Sequence, residues 1–448
     1  MGRGQLRSVV RGRVRQRPHR LTTRHLQAAY PFQSHGAITS RGCFIGIEAN
    51  GGGAFTYCPW TIEAEYPGLL SNPNILVIGN QNAGKSAMAK AYAYRQVGVF
   101  GRRAVVTDVK REYVPLAEAL GGAVISLRPG EAGEGLRLNP LSPWASRADR
   151  LLLLYAVAEV AVGHPLTSTD KALARLALEH AEAESATGEA TLPDVVRLLF
   201  TPTAGMAGAQ GVTTERYAAD ARDLANGLDE LVAGQLRGMF DGPTSVGIRW
   251  GAPVTVLDIS DTGGRSAMGI MMLCATAWQR ALIMEEKRRG YARPTIHITD
   301  EAWMALALAR EAEAAQERTK LSRDHNVASL YLVHKLADLT ASGDQGSRTR
   351  QIAENLVADC ATRVVFAQPT SEAPRLRDVL GLNDSEIRIV TSSRIMHTGQ
   401  ALWKLADRSF LVQTVLSPEE RALVSTRDAM TAAAPWTRPG SSPPAGPR

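Results

Sequence analysis

Cysteine is scarce: 448 residues carry four, Cys43, Cys58, Cys274 and Cys360, and no two stand as C-x-x-C. This excludes a disulfide-stapled scaffold and a cysteine-based zinc site, and it suits buried thiols in a reducing compartment. Cys43 and Cys58 could still face each other across a hairpin, which leaves one disulfide open. Long apolar runs are missing too. The longest, Leu151 to Val162, is broken by Glu159 and is too short to span a bilayer. No apolar segment follows the N-terminal arginines, so no secretory signal is predicted and the expected location is cytoplasmic. No internal repeat is visible. Negative charge is absent from the start of the chain. Nine arginines (Arg3, Arg7, Arg11, Arg13, Arg15, Arg17, Arg20, Arg24 and Arg41) precede the first acidic residue, Glu48. Of 51 basic residues the remaining 42 face 44 acidic ones, so this arm carries the whole positive excess. Like-charged blocks without apolar periodicity stay solvated. The arm, residues 1–41, either touches nucleic acid or an anionic membrane surface, or is a plain solvated extension, or an organellar targeting peptide.

What the chain does contain is concentrated in one segment. Ile75-Leu76-Val77-Ile78 is an apolar β-type run, followed by Gly79-Asn80-Gln81-Asn82-Ala83-Gly84-Lys85-Ser86 and then helix formers from Ala87. This is G-x-x-x-x-G-K-S between a strand and a helix. A triphosphate needs many inward-pointing backbone N–H groups, and small residues let a loop fold tightly enough to supply them. Residues Gly79 to Ala87 are therefore expected to cradle phosphates, with Lys85 on the β/γ-phosphates and the Ser86 hydroxyl on Mg²⁺. The alternative is a glycine turn with no ligand. A second segment bears on hydrolysis: Thr295-Ile296-His297-Ile298-Thr299 ends in Asp300-Glu301. The expectation sets this strand directly beside the phosphate-loop strand. Asp300 then holds the metal through water, and Glu301 orients and deprotonates the attacking water. Alone, the acidic pair would equally suit a helix N-terminus. His297, inside the strand, reads as a packed core histidine.

Strand and helix patterns alternate around these segments. Gly42–Ile47 and Ala54–Pro59 flank Asn50-Gly51-Gly52-Gly53, a hairpin signal. Buried strands are predicted at Arg103–Asp108, Ala123–Ser126, Val254–Ile259, Ala328–Val333 and Arg363–Phe366. From Ala145 to Phe240 the pattern is helical, with a capping box at Thr191 to Asp194 and a Gly/Ala-rich loop over Thr203–Val212. Ile395–Leu405 and Ser409–Val415 read as an edge hairpin. The fold class is α/β, a P-loop NTPase (RecA-like) with a mostly parallel sheet, helices on both faces and an all-α insertion. The NTPase core takes residues 42–140, with its hairpin over 42–60, and 245–425. The insertion takes 141–244, and the proline-rich end, 431–448, is a disordered tail.

Several residues together resemble one family. They are Asn74 with the phosphate loop, Asp108-x-Lys110-x-Glu112-Tyr113, Asn139-Pro140, Leu192-Pro-Asp-Val195 in the helical region, Leu257-Asp-Ile-Ser260 and Asp300-Glu301-Ala302-Trp303. Over residues 42–425 the order is similar to the conjugal-transfer and type IV secretion ATPases, within the FtsK-like class of ring-forming P-loop motors. The resemblance implies a hexameric ATPase using ATP and Mg²⁺. It would sit at the cytoplasmic base of a membrane-embedded secretion or mating channel, peripheral to the inner face of the membrane. Members typically carry a large N-terminal channel-docking domain. The residues ahead of Gly79 are too few for one, so the arm or a separate subunit is expected to replace it.

Members also often end the strand after the acidic pair in a glutamine that senses the γ-phosphate. Here His334 stands at that place, either donating to the phosphate from neutral imidazole or closing a loop. Ring motors commonly take a positive side chain from the neighbouring subunit. Arg318, Arg323, Arg348, Arg350 and Arg363 are the candidates, and Arg323, Arg348 and Arg350 are the best placed. Asp108, Lys110 and Glu112 either line the nucleotide pocket or pair with one another. Three functions fit: a motor energising conjugative DNA transfer or secretion, a translocase pumping DNA through its own pore, and a nucleotide-gated assembly factor with little turnover.

Overall fold

The computed structural model describes residues 38–39, 41–128, 136–234, 236–245, 247, 249–260, 265–306, 326–336, 357 and 360–424. The arm to residue 37, the tail beyond 424, and Arg318, Arg323, Arg348 and Arg350 lie outside the described residues. In chain order, β1 (Cys43–Glu48) and β2 (Ala54–Tyr57) lead to α1 (Pro59–Glu65), β3 (Ile75–Ile78), α2 (Lys85–Gly98) and β4 (Arg103–Asp108). Then come α3 (Val114–Ala119), β5 (Ala123–Ser126) and six helices: α4 (Arg147–Val162), α5 (Ser168–Glu184), α6 (Leu192–Phe200), α7 (Ala204–Ala209), α8 (Thr214–Asp220) and α9 (Arg222–Ala233). The chain returns through β6 (Val254–Asp258), α10 (Arg265–Arg288), β7 (Thr295–Thr299), α11 (Trp303–Leu306), β8 (Val327–Val333) and β9 (Thr362–Val365). It closes with α12 (Ala373–Asp378), α13 (Asp384–Val390), β10 (Gln400–Leu405), β11 (Arg408–Thr414) and α14 (Pro418–Val424).

All the strands join one sheet in the order β2-β1-β11-β10-β9-β3-β8-β7-β4-β6-β5. From β9 to β5 every pairing is parallel; from β10 to β2 every pairing is antiparallel. Parallel strands need both faces covered, and β3, β4, β6 and β7 are buried along their whole length. On β3 successive side chains part: Ile75 and Val77 join a core with Met88 and Tyr92 of α2, whereas Leu76 and Ile78 join another with Leu376, Leu380 and Ile387. A third core binds α4, α5, α6 and α9 to α10 through Leu154, Leu176, Leu198, Leu228 and Trp278. His297 is a core residue, hydrogen-bonded at 2.8 Å to Gln279 of α10.

Three expectations change. The β10–β11 hairpin is no edge: β11 pairs with β1, and β2 takes the edge, because Gly46 presents no side chain against the Gln413 carbonyl. The Thr203–Val212 stretch holds a helix. Thr203 accepts the Met206 N–H at 3.2 Å as N-cap, and buried Met206 and Ala207 anchor it. The third is the neighbour of β3. Its parallel partners are β8 and β9, and β7, the strand ending before Asp300, lies beyond β8. Among the described residues all four cysteines are buried thiols, and no helix is long and apolar enough to cross a membrane.

Candidate active site

The turn after β3 is shaped by residues that can take left-handed backbone. Asn82 has φ 59° and Gly84 φ 108°, and Gly84 caps α2. A Cβ on Gly79 would lie 2.5 Å from the Phe366 Cβ, and one on Gly84 would lie 3.0 Å from the Gly399 Cα. The turn is thus wedged between the end of β9 and the segment entering β10, where the Gly399 N–H donates to the Ala83 carbonyl at 2.9 Å. At the start of α2 the N–H groups of Lys85, Ser86 and Ala87 have no partner within the helix, which makes this terminus a ready anion site. Lys85 is buried, and its ammonium donates to the Gly79 and Asn80 carbonyls at 2.5 and 2.9 Å. Burial pulls its pKa down to about 8 against the opposing pull of Asp300 and Glu301.

β8 intervenes between β3 and β7, and its last residue is followed by His334. A lysine ammonium only donates, so the His334 Nδ1, 3.1 Å from the Lys85 Nζ, accepts. The proton then sits on Nε2 and is donated to the Glu301 Oε1 at 2.8 Å. His334 bridges the two strands that the sequence reading had set side by side. Glu301 also accepts from the Trp303 indole on Oε2 at 2.7 Å and from Lys110 on Oε1. Burial pushes its pKa up, but the hydrogen bonds from His334, Lys110 and Trp303 prevail and hold it down to about 2. Its backbone is left-handed, φ 52°, a cost tolerated where surrounding contacts fix the chain. Asp300, equally buried, accepts the Glu301 N–H at 2.9 Å. Burial and the neighbouring Glu301 charge raise its pKa to about 6.

In the D-x-K-x-E segment the Asp108 carboxylate binds the segment's own backbone, while the Lys110 and Glu112 side chains pair outside it. Asp108 accepts the backbone N–H groups of Lys110, Glu112 and Tyr113 at 3.1, 3.1 and 2.7 Å, which folds the turn after β4. Lys110 reaches Glu301, and Glu112 pairs at 3.0 Å with Lys90 of α2. The other residues behind the resemblance are scaffolding. Asn74, at the opposite end of β3, accepts the Ser329 N–H at 2.9 Å. Asn139 donates to the Ala190 carbonyl at 2.8 Å at the foot of the helical region. Arg363 lies within β9, where its guanidinium donates to the Leu380 carbonyl at 3.2 Å, away from the phosphate turn. Sequence reasoning gave no role to Trp303 or Gly399. Trp303 carried a signal, standing two residues after Glu301, whereas Gly399 carried none.

No protein-family model matches the chain, and no curated protein matches it in sequence. Solved structures do match in fold. VirB4 of Thermoanaerobacter pseudethanolicus superposes with a TM-score of 0.68 at 18% identity, covering 86% of this chain and 100% of that one. The bacterial conjugative coupling protein TrwBΔN70, in its unbound monoclinic form, gives 0.53 at 16% identity, with 90% and 94% covered. TrwB in complex with ADP and Mg²⁺ gives 0.50 at 16% identity, with 77% and 86% covered. The chain thus shares its fold with VirB4 and with the conjugative coupling protein TrwB.

Proposed function

We propose that the chain is an Mg²⁺-dependent ATPase that energises conjugative DNA transfer or type IV secretion, working as a hexameric ring. The observation that carries this reading is the unbroken line Lys85–His334–Glu301–Lys110, which joins the phosphate turn to the acidic pair. The site fits its ligands: helix-terminal amides without a partner inside the helix, a buried ammonium turned onto its own loop's carbonyls, and a carboxylate whose pKa is raised by burial and by the neighbouring Glu301 charge. Residues Gly79 to Ala87 would hold the phosphates, and Ser86 and Asp300 would hold Mg²⁺, which would neutralise charge on the phosphate oxygens. Lys85 leaves the Gly79 and Asn80 carbonyls for the β/γ-phosphates. Glu301 takes a proton from the water whose oxygen attacks the γ-phosphorus, and ADP departs. An arginine from a neighbouring subunit completes charge neutralisation; Arg323, Arg348 and Arg350 remain the candidates.

The test is ATP binding and turnover by wild type, Lys85→Ala and Glu301→Gln, with and without single- and double-stranded DNA. Lys85→Ala loses binding. Glu301→Gln keeps binding, while turnover falls by about 10²-fold or more. Undiminished hydrolysis by Glu301→Gln overturns the mechanism. Turnover strongly stimulated by DNA, with a steep salt dependence, moves the assignment to a DNA-pumping translocase.

A further inference from the structure

We propose that Lys110 is a latch on Glu301, a positioning residue that holds the general base unproductive until the turn after β4 moves. The proposal rests on the ATPase reading above. A carboxylate offers about four lone-pair sites, and three donors already occupy those of Glu301: Lys110 and His334 on Oε1, and Trp303 on Oε2. Two of the donors belong to parts the chemistry needs in place. His334 touches Lys85, and Trp303 stands two residues from Glu301 on the same turn. Lys110 does neither. It comes from a separate loop, carries a full positive charge and is half exposed, with 44% of its side chain accessible against 4% for Glu301.

An ammonium held on Oε1 occupies a lone pair on which the base would accept the proton of the attacking water, so turnover needs Lys110 moved aside. The loop bearing Lys110 is stiff and is connected to the nucleotide end. Asp108 ties its backbone, and Arg111 sits at φ 59° beside Asp258. Glu112 joins Lys90, one turn beyond Ser86 on the helix that starts at the phosphate turn. A shift of α2 when its N-terminus takes up phosphate therefore pulls on the loop through Lys90–Glu112, and Lys110 is withdrawn from Glu301.

Steady-state ATP hydrolysis by the full chain tests this, comparing wild type with Lys110→Met, Lys110→Gln and Lys110→Arg, each also combined with Glu301→Gln. Lys110→Met and Lys110→Gln should raise kcat about three- to ten-fold with KM changed by less than about two-fold, and Lys110→Arg should stay near wild type. Every Glu301→Gln combination should be inactive, which routes the gain through the carboxylate. Turnover at or below wild type in both neutral variants, a change confined to KM, or an equal gain in Lys110→Arg overturns the latch alone. Absence of turnover in wild type and in all the single variants overturns the ATPase reading and the latch with it.

Discussion

Asp300 shows how far the site is organised around charge it must receive. It is almost fully buried, and burial together with Glu301 lifts its pKa from 3.8 to about 6. An acid whose folded pKa exceeds its unfolded pKa binds its proton more tightly when folded. The contribution of this group to stability is therefore greatest below about pH 3.8 and falls as pH rises through 6. At neutral pH the metal-free protein carries a cost of up to about 3 kcal/mol from this group. Denaturant unfolding in chelator should accordingly show wild type gaining about 1 kcal/mol on Asp300→Asn between about pH 7 and about pH 5. An unchanged difference between the two proteins across that range would contradict the burial argument. Lys85, depressed to about 8 mainly by burial, carries a cost of the same kind at neutral pH. Binding of the proposed magnesium–nucleotide complex would offset both costs by setting opposite charge beside each group.

Between elements, the decisive arrangement is β8 standing between β3 and β7. Two strand spacings separate the phosphate turn from the acidic pair, roughly 10 Å, too far for a direct contact between short side chains. His334 closes that distance because β8 ends level with β3, Val333 opposite Ile78, and runs two residues past the Tyr331–Thr299 pair, as far as Glu301 lies beyond β7. The phosphate turn is supported on its other side by the entry to β10. Gly399 has φ 82°, and its N–H holds the Ala83 carbonyl. Alanine there meets the left-handed backbone penalty and a Gln413 side chain 2.9 Å away. Gly399→Ala is expected to lower unfolding stability by about 1–2 kcal/mol and to weaken nucleotide binding, measured by denaturation and by titration with a fluorescent ATP analogue. Wild-type affinity in that variant would show that the prop does not shape the turn.

At the scale of the whole molecule, a single 11-stranded sheet carries the nucleotide end on its parallel half and closes on an antiparallel half that returns to β1 and β2. The helical region from α4 to α9 lies in the chain between the adjacent strands β5 and β6, tied at its foot where the Leu138 N–H meets the Met239 carbonyl at 2.8 Å. Completion of the site by an arginine of a second copy belongs to the proposed ring. Light scattering on Glu301→Gln with ATP and Mg²⁺ should register a particle of six chains, against a smaller one without nucleotide. A particle size indifferent to nucleotide, or a persistent monomer, would remove the ring.

The amino-acid order alone determined the parts whose physics is local. G-x-x-x-x-G-K-S needs only its own small residues and the helix behind it, and Thr191 with Asp194 makes its capping box within four residues. The apolar runs of β3 and β4 announce strands buried on both faces, whereas β7, Thr-Ile-His-Ile-Thr, is buried throughout without one. Tertiary structure decided what depends on neighbours far apart in the chain. Sheet order placed β8 between β3 and β7 and turned His334 into a bridge, and β1 covered a hairpin that looked like an edge. The loop after β4 brought Lys110 onto Glu301, 191 residues away. Such contacts leave no periodicity or spacing in the sequence, because they arise only when separate strands are laid side by side and their ends converge.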